Sequence, residues 1–171
     1  MASKPMLALL KSTLQACYTE GTRAHESGLK VSTEKRPGET ILFFKIDSSE
    51  GRKYLNMRGE GLKVCDYLVF YAKDAENREV TCFLELKGRK LEEAVEQVIS
   101  TFHHVKALTL EKIDKEWHPH LVWKACICLH GQSPRPGNRV KELLKKEFGG
   151  NVRIKYGIKH DKEEFGLFLR E

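Results

Sequence analysis

The chain has 171 residues, a length typical of one domain. It contains 40% hydrophobic and 32% charged residues, so it can form a hydrophobic core and is not a disordered tail. Its formal net charge of +6 permits an anionic partner without identifying one. No apolar run approaches the roughly 18 residues of a membrane span, and residues 1–10 turn polar too soon for a secretory signal. We therefore expect a cytoplasmic protein with no membrane partner.

The cysteines are odd in number and irregularly spaced: Cys17, Cys65, Cys82, Cys126 and Cys128. Four of them lie in apolar runs that resemble strands. This pattern is typical of reduced cysteines that pack as small hydrophobic side chains in cytosolic proteins. We predict that the chain forms no disulfide bonds.

The first half of the chain predicts one helix followed by several strands. Leucines at helical spacing predict an amphipathic helix over residues 4–20. The polar segment 21–39 predicts a loop with a frayed helical turn at residues 23–26. Apolar segments predict strands over residues 41–47, 53–58, 62–71 and Glu79–Lys87. The last two of these strands are joined by a short charged turn and are expected to pair antiparallel.

The second half of the chain alternates helices and strands. Apolar residues spaced by three or four positions predict a helix over residues 91–108, and the basic segment Asn138–Phe148 predicts another. The segment Leu121–Leu129 is apolar on both faces, which predicts a strand in the middle of a covered sheet. Residues 152–158 alternate apolar and basic side chains, which is typical of an edge strand. Residues 165–169 predict a last strand.

This order of elements predicts an α/β fold with a mixed central β-sheet flanked by helices. The sequence contains no internal repeat and no low-complexity segment. We therefore expect a single domain over residues 1–171.

Three charged residues interrupt predicted strands at positions where apolar side chains are expected. Asp66 lies among apolar neighbours, and Glu85 and Lys87 share one face of the next strand. An unpaired buried carboxylate is strongly destabilising. We therefore expect these side chains to compensate one another, to bind a cation, or both. The alternative is a surface pair of Glu85 and Lys87, with Asp66 capping the end of its strand.

Asp66 followed by the Glu-Leu-Lys triplet at residues 85–87 resembles the motif of the PD-(D/E)XK nuclease superfamily. The resemblance covers residues 63–97, where a strand with the acid, a hairpin, a strand ending in the triplet and an amphipathic helix follow one another. It implies a restriction-endonuclease-like αβββαβ core and metal-dependent hydrolysis of phosphodiester bonds. The chain departs from the family pattern at Cys65, where the motif has proline.

The resemblance also implies roles for the residues of the motif. Asp66, Glu85 and the backbone carbonyl of Leu86 would bind Mg²⁺ or Mn²⁺, hard cations that prefer oxygen ligands. Lys87 would hold the attacking hydroxide or the scissile phosphate, since a lysine provides a compact positive charge.

Helper residues of this family lie on the helices around the motif. Some branches use a glutamine on the helix after the triplet to steady the site, and Gln97 occupies that position. Many members add a glutamate from the first helix. The sequence does not choose between Glu20 and Glu26 for this role.

Basic residues that could contact phosphates occur at two places in the sequence. Arg89 and Lys90 follow the motif directly, whereas Arg135 and Arg139 lie in a loop after a central strand and on the next helix. Lysine and arginine at such positions neutralise phosphates without reading the base sequence. A solvated helix face is the alternative for the second group.

The leading hypothesis is a divalent-metal-dependent endonuclease acting on DNA, in phage defence or in DNA recombination or repair. A domain of this size has little room for specificity loops, so we expect a homodimer or a partner subunit. Two alternatives stay open at this point. One is a catalytically inactive nuclease-fold subunit for nucleic-acid binding or assembly, and the other is an RNase.

Overall fold

The computed structural model describes residues 3–87, 90–157 and 160–171. In these residues the chain forms nine β-strands and five α-helices. The strands are β1 (Tyr18–Thr19), β2 (Arg23–Glu26), β3 (Leu29–Ser32), β4 (Glu39–Lys45), β5 (Tyr67–Lys73), β6 (Glu79–Lys87), β7 (Leu121–Leu129), β8 (Val152–Tyr156) and β9 (His160–Asp161). The α-helices are α1 (Pro5–Leu14), α2 (Ser49–Tyr54), α3 (Leu91–Lys112), α4 (Asn138–Phe148) and α5 (Glu164–Arg170).

A mixed six-stranded sheet forms the centre of the fold, in the order β1-β4-β5-β6-β7-β8. The first four strands pair antiparallel, and β6, β7 and β8 run parallel. The parallel pairs are joined by α3 and α4, as parallel strands require crossover connections. This arrangement confirms the predicted α/β class and the predicted mixed sheet flanked by helices.

Two hydrophobic cores cover the two faces of the central sheet. Helices α1, α3 and α4 pack on one face, where the ring centroids of Phe102 and Phe148 are 4.6 Å apart. Helix α5 and a second sheet, in the order β2-β3-β9, pack on the other face. Because β7 lies between β6 and β8, its side chains are buried alternately in both cores, which explains why its sequence is apolar on both faces.

The loop predicted over residues 21–39 is wrong in its first part, because β2 and β3 form an antiparallel hairpin there. Ala24, Leu29 and Val31 fill one core from the inner face of this hairpin. The connecting residues Ser27 and Gly28 have positive φ angles of 52° and 73°, as a two-residue hairpin turn requires. The strands are short, and their alternation is hard to detect without the core that they cover.

Two further predicted strands are wrong: residues 53–58 comprise the end of a helix and a turn, and residues 165–169 lie in a helix. Residues 49–54 form α2, not a strand over 53–58, and the side chain of Ser48 caps its start by accepting the Gly51 N–H at 3.0 Å. Residues 164–170 form α5, whose buried side chains recur at helical spacing.

Several boundaries also differ from the prediction: β4 covers Glu39–Lys45, β5 ends at Lys73 and α3 ends at Lys112. The first helix ends at Leu14, and β5 begins only at Tyr67. The edge strand β8 ends at Tyr156, and residues 158 and 159 lie outside the described residues. Among the helices that the structure describes, none combines the length and the apolar composition needed to cross a membrane.

Candidate active site

Asp66 and Glu85 lie side by side at the ends of two central strands. Tyr67 pairs with Leu84 in the antiparallel register of β5 and β6, so the preceding residue, Asp66, lies beside Glu85. The Asp66 N–H donates a hydrogen bond to Glu85 Oε2 at 3.0 Å, and the Leu86 N–H donates one to Asp66 Oδ2 at 2.8 Å. Both residues are buried, with exposed fractions of 7% for Asp66 and 1% for Glu85. The pairing of these strands therefore holds two buried carboxylates together at one end of β5 and β6.

The backbone around Asp66 is fixed from two directions. The Ile46 N–H donates to the Asp66 carbonyl at 3.0 Å, which ties it to the segment after β4. The Cys65 N–H donates to Thr101 Oγ1 at 2.9 Å, which ties it to α3. These bonds hold Asp66 in place before the first residue of β5.

Burial disfavours the ionised form of both carboxylates, and the charge of Asp66 further disfavours ionisation of Glu85. Burial is the main cause that raises the pKa of Asp66 to about 6, and the charges of Glu26 and Asp47 add to it. Burial also raises the pKa of Glu85 to about 8, and the charge of Asp66 raises it further. A bound cation would relieve this unfavourable interaction between like charges.

Lys87 supplies a positive charge near the two carboxylates. It shares a face of β6 with Glu85, and its charge lowers the pKa of both Asp66 and Glu85. Its side chain is 25% exposed, and Nζ lies 3.5 Å from Glu93 Oε2 at the start of α3. The structure therefore brings the three residues of the motif into one electrostatic neighbourhood.

Gln97 contacts the backbone that leads to Asp66. Its Nε2 donates to the Val64 carbonyl at 3.1 Å, two residues before Asp66. Its Oε1 is buried and has no hydrogen-bond partner in the described parts of the chain. The geometry gives Gln97 a positioning contact and not a contact with the carboxylates.

Sequence reasoning missed Asp47 and left Glu26 open as a neighbour of the site. Asp47 follows β4, the strand that pairs antiparallel with β5. Its negative charge therefore raises the pKa of both Asp66 and Glu85. Glu26 lies at the end of β2 and forms an ion pair with Lys45 at 3.2 Å. The sequence signal for Asp47 was a carboxylate at the end of the predicted strand over residues 41–47. This signal indicates a place near Asp66 only when the pairing of that strand with β5 is known.

Glu20, the other glutamate that the sequence left open, lines a cavity whose walls do not include Asp66 or Glu85. This cavity has a volume of about 510 Å³, and its walls include Arg23, Lys30 and Tyr67. Of these two glutamates, Glu26 is the one whose charge is among the main causes that raise the pKa of Asp66.

The oxygen atoms at the site fit a hard divalent cation. Each of the two backbone hydrogen bonds uses one carboxylate oxygen, so Asp66 and Glu85 each keep a second oxygen that can bind a metal ion. The N–H and C=O of a strand residue point to the same side, so the Leu86 carbonyl points to the side of Asp66. No group of three or more His, Cys, Asp or Glu side chains within residues 3–87, 90–157 and 160–171 is arranged to hold a metal ion. A metal site here would consist of two carboxylates, a carbonyl and water, a set that suits Mg²⁺.

Two of the four predicted phosphate-binding residues, Lys90 and Arg135, lie beside the start of α3. Lys90 and Arg135 line one cavity of about 490 Å³, together with Glu93, the partner of Lys87. The Arg135 guanidinium lies 4.1 Å from the ring centroid of Tyr156.

The other two predicted phosphate-binding residues are not part of this cavity wall. Arg139 is exposed in the first turn of α4. Arg89 lies outside the described residues.

The chain was also compared with known proteins. No protein-family model and no curated protein sequence matches the chain. The site is therefore interpreted from its own residues.

Proposed function

We propose that this chain is a divalent-metal-dependent endonuclease that hydrolyses phosphodiester bonds in DNA, with Asp66, Glu85 and Lys87 in its active site. The observation that carries the proposal is the pair of backbone-to-side-chain hydrogen bonds between the two chain segments, from the Asp66 N–H to Glu85 and from the Leu86 N–H to Asp66. These bonds hold two acidic side chains in a buried position where a divalent cation would stabilise them.

The order of elements supports the same proposal. The chain passes from α1 through the antiparallel strands β4, β5 and β6 to α3 and then to the parallel strand β7. This is the order of the αβββαβ core that the resemblance to PD-(D/E)XK nucleases implies. The candidate site lies within this core, at the start of β5 and the end of β6.

The carboxylates of Asp66 and Glu85 and the Leu86 carbonyl would hold Mg²⁺ or Mn²⁺. When bound, the ion lowers the pKa of a bound water and neutralises charge on the transferring phosphoryl group. Lys87 orients a phosphate oxygen or the attacking hydroxide through its ammonium group. Gln97 and Thr101 keep the backbone before Asp66 in place. Lys90 and Arg135 bind phosphates that flank the scissile bond.

A cleavage assay tests the proposal directly. The substrates are supercoiled, linear, branched and single-stranded DNA and one RNA, each with Mg²⁺, with Mn²⁺ and with EDTA. We expect metal-dependent cleavage of DNA, lowered at least about 100-fold in Glu85→Gln and in Lys87→Met. The matched control is Glu142→Gln, which makes the same chemical change on the exposed side of α4. Full metal-dependent cleavage by Glu85→Gln would contradict the assignment of the site.

The same assay separates the alternatives. Cleavage of RNA alone would identify an RNase, and binding of nucleic acid without cleavage of any substrate would identify a binding or assembly subunit. Metal binding is measured separately by calorimetry with Mn²⁺, which should bind the wild-type chain and not Glu85→Gln. Size-exclusion chromatography tests whether the chain forms the expected homodimer or is a monomer that would need a partner subunit.

A further inference from the structure

The outer face of the β2-β3-β9 sheet carries a row of basic side chains. The register places His25 beside Lys30 and Lys30 beside His160, one residue from each strand. The neighbouring pair along the hairpin is Arg23 and Ser32. Side chains alternate between the two faces of a strand, and the alternate residues Ala24, Leu29 and Val31 point into the core. The basic side chains therefore point away from the core.

The positive charges on this face are not neutralised by close ion pairs. In the part of the chain that the structure describes, neither Arg23 nor Lys30 forms an ion pair, and Arg23 is exposed. Glu20 is the carboxylate that lines the same cavity. The pKa of His160 is lowered by burial and by the positive charges of Lys30 and Lys162, which indicates a positive potential at this face.

This face begins next to the candidate active site. The Tyr67 hydroxyl donates to the His25 carbonyl at 3.4 Å, and Tyr67 directly follows Asp66. On the inner side of β2, Glu26 contributes its charge to the surroundings of Asp66. The end of β2, at His25 and Glu26, is therefore the part of this sheet that lies nearest to Asp66 in these contacts.

We propose that Arg23, His25, Lys30 and His160 form a surface that binds the phosphate backbone of the nucleic-acid substrate. This inference rests on the proposed function and adds the path of the substrate strand. The row spans about 10 Å across three strands, a length that corresponds to about three successive phosphates of one nucleic-acid strand. Its residues are basic or polar, so the surface contacts the backbone and does not select a base sequence.

The test is nucleic-acid binding by the double variant Arg23→Gln/Lys30→Gln. Fluorescence anisotropy with a labelled DNA oligonucleotide, single-stranded and duplex, is measured in EDTA over a range of salt concentrations. We expect at least about tenfold weaker binding and a decrease of about 2 in the slope of log affinity against log salt, because each phosphate contact contributes about 0.9. The charge-preserving variant Arg23→Lys/Lys30→Arg should bind like the wild-type chain.

The matched control is Lys106→Gln/Lys115→Gln, which removes the same charge at exposed positions near the other end of the sheet. It should change neither the affinity nor the slope. Circular dichroism and thermal melting check that all variants are folded. Unchanged binding by the Gln variant, or no binding of DNA by the wild-type chain, would overturn the inference.

Failure of this inference and failure of the proposed function give different results. If the wild-type chain cleaves DNA and the Gln variant binds it normally, the nuclease assignment stands and the surface is wrong. If nothing is cleaved but the Gln variant loses binding, the surface stands and the nuclease assignment is wrong.

Discussion

Lys87 and Glu93 lie close together where β6 leads into α3, with 3.5 Å between Lys87 Nζ and Glu93 Oε2. Lys90 shares the same partner, with its Nζ 3.7 Å from Glu93 Oε2. The two lysines differ in what else they affect. The charge of Lys87 lowers the pKa of both Asp66 and Glu85, and Lys90 is 78% exposed.

Replacing Lys87 by methionine is therefore predicted to raise the pKa of Asp66 and of Glu85. The side chain keeps its length, but the positive charge that favours the ionised carboxylates is lost. NMR titration of the side-chain carboxyl carbons measures the change. Lys90→Met is the matched control, because it removes an equal charge from the same ion-pair cluster and should leave both titrations unchanged. Equal shifts in the two variants would show that Lys87 has no special position.

The raised pKa values predict that stability falls as the pH rises, when no divalent cation is present. The folded chain keeps protons on Glu85 up to about pH 8 and on Asp66 up to about pH 6. The unfolded chain releases these protons near pH 4, so between about pH 4 and pH 8 the folded state binds more protons and its free energy of unfolding decreases with pH.

Glu85→Gln removes most of this dependence, because an amide cannot ionise and can still accept the Asp66 N–H. We expect the variant to be about 4–5 kcal/mol more stable than the wild-type chain at pH 8 in EDTA, and the difference to shrink towards pH 4. Urea unfolding followed by circular dichroism measures both values, with Glu142→Gln as the control. A variant less stable than the wild-type chain at pH 8 would mean that burial of this charge is not costly.

Thr101 is predicted to fix the backbone beside the active site. Its Oγ1 accepts the buried Cys65 N–H at 2.9 Å and donates to the Gln97 carbonyl at 2.7 Å. Thr101→Val leaves the Cys65 N–H without an acceptor and should lower the free energy of unfolding by about 2 kcal/mol. Thr101→Ser keeps the oxygen and should be much closer to the wild-type chain. If both variants lost the same stability, the methyl group and not the hydrogen bond would be the important part of Thr101.

The longest regular elements could be predicted from the sequence. The bounds of β6, β7 and α4 agree with the structure, because each has a sustained apolar or amphipathic pattern. The proximity of Asp66 and Glu85 was predictable as well, since a short turn between two strands implies an antiparallel hairpin.

The missed features depend on contacts between distant parts of the chain. The β2–β3 hairpin has four residues in each strand and is stabilised by the core that it covers, so local propensity does not identify it. For the same reason the basic surface on its outer face was not expected. Asp47 joins the surroundings of Glu85 only through the pairing of β4 with β5, which local patterns do not determine.

Gly51 is predicted to be essential for the segment that supports Asp66. A Cβ atom at this position would lie 2.1 Å from the Ile46 carbonyl oxygen, and the Ile46 N–H donates to the Asp66 carbonyl. Helix propensity alone favours Gly51→Ala by about 1 kcal/mol, but we expect a loss of about 3 kcal/mol because the backbone of residue 46 must move. Urea unfolding measures the change. Gly150→Ala is the control, because a Cβ there would contact nothing within 4 Å, and a stabilising Gly51→Ala would show that this contact relaxes freely.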